Sequence, residues 1–198
     1  MNKFVFFTVA LSVVGVQAQA SPSLHQKVFD VQTGALGDIE AIDQMHPRTE
    51  VVFSKPDGTK ILKWLPNSEV EAMRRAFTAP KPSLHEKIYD PRSGFLGQVE
   101  AIDLLRPQSE VVFTRPDGTK TVEWLPNITI QSMKNAFLTP APALGEQVYD
   151  AARSLPGVVE AISDMKPETE VTFTHPDGTK TLEWVPNVQI QRSAISAR

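Results

Sequence analysis

An eighteen-residue segment, Glu50-Val51-Val52-Phe53-Ser54-Lys55-Pro56-Asp57-Gly58-Thr59-Lys60-Ile61-Leu62-Lys63-Trp64-Leu65-Pro66-Asn67, is written three times in this chain. It returns as Glu110–Asn127 and as Glu170–Asn187, displaced by 60 residues each time without insertion or deletion. A strict period of that size means that one small structural unit is used repeatedly. The chain divides on this basis into a leader, residues 1–20, and three copies, 21–82, 83–142 and 143–198. Each copy has too few residues to bury a large core, so neighbouring copies are expected to lean on one another.

Within the segment, two runs of alternating character flank a turn signal, the pattern of an antiparallel hairpin with one buried face. The loop sets which side chains share that face. A three-residue Pro56-Asp57-Gly58 loop places Phe53 opposite Ile61 and turns Leu62 and Trp64 to the other side. A four-residue loop through Thr59 pairs Phe53 with Leu62 and Val51 with Trp64. It gathers the large apolar groups together and is favoured for that reason. The expectation is therefore that Trp64, Trp124 and Trp184 face inward.

Ahead of each hairpin lies a short strand, Val28-Phe29-Asp30, repeated as Ile88-Tyr89-Asp90 and Val148-Tyr149-Asp150. Tyrosine twice replaces Phe29, which suggests that Val28, Ile88 and Val148 point inward and the rings lie at a rim. A glycine-marked turn leads to a second strand, Ile39-Glu40-Ala41-Ile42, whose two isoleucines fall on opposite sides by simple alternation. After the hairpin, Asn67 or Ser68 is placed to cap a short helix with Glu71 three positions on, and Val70, Met73 and Phe77 form one stripe. Ile128-Thr129-Ile130 gives the second version more strand character. The third lacks the Met–Phe portion. A stripe that packs onto the next copy has no neighbour to cover at the end of the chain.

Residues 1–20 carry Lys3, an apolar run from Phe4 to Val16 and the small-x-small series Ala18-Gln19-Ala20, which together read as a cleavable secretory signal. No cysteine occurs, which removes disulfides, thiolate metal sites and cysteine nucleophiles at once. A bacterial periplasmic or secreted protein is the expectation. Nothing after the leader is apolar enough for stable membrane insertion. Basic residues number 20 and acidic residues 23, with no basic stripe, so nucleic acid is not an expected partner.

The strand order and the Val51-x-Phe53…Asp57-Gly58-Thr59…Trp64-Leu65-Pro66 hairpin resemble the small SH3-like barrels, in outline the KOW, Tudor and bacterial SH3 groups. The resemblance covers residues 23–192 and implies an all-β fold with short helical segments, built as three tandem SH3-like barrels. It also implies ligand binding through loop-proximal aromatic residues. Phe29, Tyr89 and Tyr149, with Asp30, Asp90 and Asp150 beside them, are then the candidate ligand-binding residues. Each of these positions has a structural use as well: the rings as first-strand packing, the aspartates as their polar neighbours.

Catalytic machinery is not evident. The repeated Glu40, Glu100, Glu160 and Glu50, Glu110, Glu170 lack the directed pairing that hydrolysis needs. No nucleophile elbow is present. His25 and His85 recur, but Gly145 stands in the third place, and no metal-ligand spacing emerges. Asp57, Asp117 and Asp177 sit in identical turns and suit backbone hydrogen bonding. The reading is an exported, non-enzymatic binding protein without cofactor or metal, recognising a protein peptide or a cell-envelope glycan. The alternative is a structural or assembly protein with interlocked or edge-swapped copies; a hydrolase is the remaining possibility.

Overall fold

A computed structural model describes residues 21–55 and 57–192. The secretory leader expected at 1–20 lies outside them. The first unit contains strands β1 (Lys27–Asp30), β2 (Ala35–Asp43), β3 (Arg48–Ser54) and β4 (Lys60–Pro66), then helix α1 (Asn67–Thr78). The second repeats the order as β5 (Lys87–Asp90), β6 (Phe95–Ile102), β7 (Gln108–Thr114), β8 (Lys120–Pro126) and α2 (Asn127–Leu138). The third has β9 (Gln147–Asp150), β10 (Leu155–Ile162), β11 (Glu168–Thr174) and β12 (Lys180–Pro186), then a 3₁₀ turn at Asn187–Gln189 and strand β13 (Ile190–Arg192). The tandem-repeat architecture is plain, with three antiparallel meanders that each pair within their own unit.

The sheets do not close, so the SH3-like barrel expectation is corrected. The first two sheets run β1-β2-β3-β4 and β5-β6-β7-β8 with four strands each, and the third runs β12-β11-β10-β9-β13 with five. The fifth strand that a barrel needs is helical in two units. Apart from Val70, residues 69–76 are Glu, Ala, Met and Arg, which favour helix. That helix lies against β1 and lowers Val70 into the core. Ile128-Thr129-Ile130 likewise becomes the start of α2, with Ile130 buried, against its strand-like appearance. In the third unit Val188-Gln189-Ile190-Gln191 alternates, and β-branched residues favour an extended chain. The result is β13, which pairs with β9 but, among the described residues, has no ladder to β12.

The hairpin register differs from the expected one. Phe53 faces Ile61, Val52 faces Leu62 and Glu50 faces Trp64. A three-residue loop closes it: the Lys55 N–H donates to the Thr59 carbonyl at 2.9 Å, and Gly58 takes a φ of +81°. That geometry is a turn followed by a left-handed bulge, which glycine enters without steric cost. The other two copies show the same pairing. Asp57 fixes the loop through bonds from the Thr59 N–H at 2.9 Å and hydroxyl at 2.6 Å, the turn-forming use expected of it.

A β-bulge resolves the isoleucine conflict in β2. The pairing shifts between Ile39 and Ala41, so Glu40 is the extra residue. One inserted residue restores Ile42 to the side of Ile39, and both reach the core of the first unit. Each core is small: Val28, Ile39, Val51, Phe53 and Val70 in the first unit, and matching residues in the second. Val28, Ile88 and Val148 do point inward. The stripe of α1 packs on its own unit through Val70 and Met73, and the helix also approaches α2 of the next.

Asn67 begins α1 but makes no capping bond, contrary to its expected role, and neither does Ser68. Its side chain turns inward and accepts the Thr49 hydroxyl at 2.8 Å, a pairing repeated by Ser109 with Asn127 and by Thr169 with Asn187. Buried polar groups need such partners.

Space is tightest where the second strand crosses the core. A Cβ added to Gly157 would lie 2.5 Å from Val171 Cγ1 and 2.9 Å from Phe173 Cδ1, and Gly37 and Gly97 are similarly confined. Gly157→Val is expected to cost about 1–3 kcal/mol through overpacking. A lowered urea midpoint would show this; an unchanged midpoint would contradict the packing.

Candidate functional site

The register decides what each unit shows to solvent. On the outer face, Leu62, Trp64, Val122, Trp124, Leu182 and Trp184 are all exposed, the three indoles by 44%, 48% and 48%. The inward placement expected for the tryptophans is therefore corrected. Strands β4, β8 and β12 that carry them are sheet edges, each with a ladder on one side among the described residues.

The sequence-derived site residues divide differently. Phe29 and Tyr89 are buried, whereas Tyr149 is 37% exposed. The cause lies between units. The Tyr89 hydroxyl donates to Glu168 Oε1 of the third unit at 2.7 Å, and Lys166 Nζ donates to the Gly94 carbonyl at 2.8 Å. Burial, then the Glu168 carboxylate, push the Tyr89 phenol well above its usual ionisation range. Asn187 Nδ2 also reaches back to the Thr139 carbonyl at 3.3 Å. The first two rings are thus not at an open rim; among the described residues, no further unit lies over the last one.

The neighbouring aspartates organise turns. Asp30 accepts the Gln32 N–H and the Thr33 hydroxyl, and Asp90 accepts the Arg92 N–H and the Ser93 hydroxyl. Asp150 is nine-tenths buried or more and is held by Arg153, 2.7 Å from its carboxylate. Burial raises the Asp150 carboxyl, but the bonds from Arg153 and Ala152 outweigh it and leave it below the usual range. Arg153 also bridges to Glu183 and lies 5.0 Å over the Phe173 ring.

Two concavities accompany this surface. Leu96, Met165 and Trp184 line a groove of about 300 Å³ at the second junction, with Lys166 and Glu168 beside them. A cleft of about 310 Å³ opens over Phe53 and Ile61 of the first unit, rimmed by Lys55 and Lys63 and by Arg106 of the second unit. Ala35 explains that cleft: Phe95 and Leu155 fill the same place in the other cores. Among the described residues, no group of three or more His, Cys, Asp or Glu is arranged to hold a metal, and no helix is long and apolar enough to cross a membrane.

No protein family matches the chain, and neither does any curated protein. His25 and His85 gain a backbone explanation. Their φ values are +61° and +63°, and Gly145 takes the same left-handed place at +74°. The His-to-Gly exchange was the sequence signal for that conformation. The repeated asparagine–hydroxyl pairs could also be read from the recurring Pro-Asn and the hydroxyl residue eighteen positions before it.

Because all three tryptophans share this outer surface, fluorescence reports on it directly. The folded protein should emit at a wavelength typical of wet indole and be quenched by iodide; blue-shifted, protected emission would place the rings inside. For Tyr89→Phe, loss of the bond to Glu168 should cost about 1.5 kcal/mol, seen in chemical denaturation. The raised phenol also gives an alkaline signature. Below the ordinary value of 10.0 both folded and unfolded forms are protonated and its contribution is complete. Above it the unfolded chain loses the proton first, so stability falls with rising pH. In a Tyr149→Phe background, ultraviolet titration should find Tyr89 protonated past that value until the fold is lost.

Proposed function

We propose that the protein is a non-enzymatic, tandem-repeat binding protein that takes up an extended polypeptide along its outer hairpin faces. The observation that carries this reading is the threefold exposure of an aliphatic–tryptophan pair on sheet-edge strands, at Leu62/Trp64, Val122/Trp124 and Leu182/Trp184. Exposed apolar surface repeated in register marks a contact surface. An edge strand offers unpaired N–H and C=O groups to a peptide backbone, while alternate side chains select by fit. Indoles suit this use because one ring offers both apolar area and a polar N–H. Three moderate sites on one chain add avidity when a ligand spans them.

In this reading the protein acts in the bacterial periplasm or secreted fraction, as the leader-like residues 1–20 and the absence of cysteine suggest. The polypeptide is preferred over an envelope glycan because the tryptophans lie on hydrogen-bonding edges. Titration with extended apolar peptides, and separately with soluble wall glycans, should blue-shift the tryptophan emission for peptides. Each of Trp64→Ala, Trp124→Ala and Trp184→Ala should weaken binding, with roughly a tenfold loss for a strong contact. A response to glycans alone would replace the peptide reading, and silence toward both would remove it.

A further inference from the structure

Among the described residues, the junctions leave one matching half-interface uncovered at each end of the array. At the carboxy-terminal end, Tyr149 is 37% and Val158 38% exposed, although Phe29 and Tyr89 are buried in the equivalent first position. Gln147, Tyr149, Pro156, Val158 and Thr174 line an open concavity of about 270 Å³. Their counterparts in the second unit are Lys87, Tyr89, Leu96, Gln98 and Thr114. Four of these, Lys87, Leu96, Gln98 and Thr114, line a concavity shared with Asp164 and Met165 of the next unit.

The amino-terminal end shows the complement. Arg106 and Gln108 are half-buried and Pro107 is buried, as are Lys166, Glu168 and Pro167 in the same order. Their first-unit equivalents His46, Pro47 and Arg48 are all exposed. Met45 and Trp64 retain the residue types of Met165 and Trp184, which line the second junction.

We infer that the 43–48 connector of a second copy seats on the Tyr149–Val158 face, continuing the repeat packing from one molecule to the next. A repeat array that ends in solvent normally carries a polar terminal surface. Here the terminal unit changes in the opposite sense, since Val158 stands where Asp38 and Gln98 occupy the earlier copies. A head-to-tail contact uses different patches on its two sides and so builds an open series, or a ring where the rotation closes. The Tyr149 hydroxyl would meet Arg48 in place of Glu168, with the arginine donating.

Sedimentation of the purified protein over roughly 1–500 µM should show mass rising through successive oligomers, the range in which a contact of modest area associates. Val158→Lys blocks the tail face and Pro47→Arg the head face, and both substitutions lie at exposed positions. Each variant alone should remain monomeric, while a mixture of the two should give a dimer and nothing larger, because one good face survives on each. Arg48→Glu places a carboxylate where Glu168 meets Tyr89 and should tighten association by about fivefold. A photo-crosslinker at position 158 should capture the 43–48 segment. Wild-type monomer throughout the range would overturn the inference. So would undiminished association of either blocked variant, or crosslinking of 158 to 158, which would mark a two-fold contact instead.

Discussion

A loop of three residues, closed by a left-handed glycine, governs most of what this molecule presents. Gly58 lets Lys55 and Thr59 pair directly, and every residue of the following strand is then assigned to a face. One more loop residue would reverse the assignment, because side chains alternate with a period of two. With the register that forms, Val51 and Phe53 are buried, while Leu62 and Trp64 stand on the outside. The hairpin therefore supplies most of its core from its first strand, with Leu65, Leu125 and Val185 added from the second, and shows its indoles outside.

That division leaves each core poor in large side chains. A buried valine contributes about 1.5–3 kcal/mol, and a unit with five such groups has little reserve. Even this small core draws on the helix or extra strand, with Val70 and Ile130 entering from helices and Ile190 packing on from β13. Contacts between units add to it. Tyr89 shows how: its ring is removed from water by the next copy, and Glu168 accepts its hydroxyl. The same position in the last copy is open, so closely similar strands have different surroundings in different copies.

Much of the architecture was legible because repetition and turn chemistry are local. The 60-residue offset, the hairpins, the inward Val28, Ile88 and Val148, and the aspartate-fixed turns all follow from short-range pattern. The exposed outer face was less so. Apolar content argued for burying the tryptophans, and the preference for gathering large side chains outweighed the correct three-residue loop. The second-strand conflict between Ile39 and Ile42 was visible, but a bulge at Glu40 was the solution that alternation alone does not contain. Barrel closure failed for a related reason: segment 67–78 carries helix formers, and tertiary contact with β1 rewards the helix.

What the sequence by itself determined is the unit, its number and the chemistry of its turns, since these depend on residues within a few positions of one another. Tertiary structure alone decided which aromatics are open. Tyr89 is closed in where it meets Glu168 of the third unit, whereas Tyr149 stays open. Burial is a property of surfaces brought together from distant parts of the chain, and no local pattern records it.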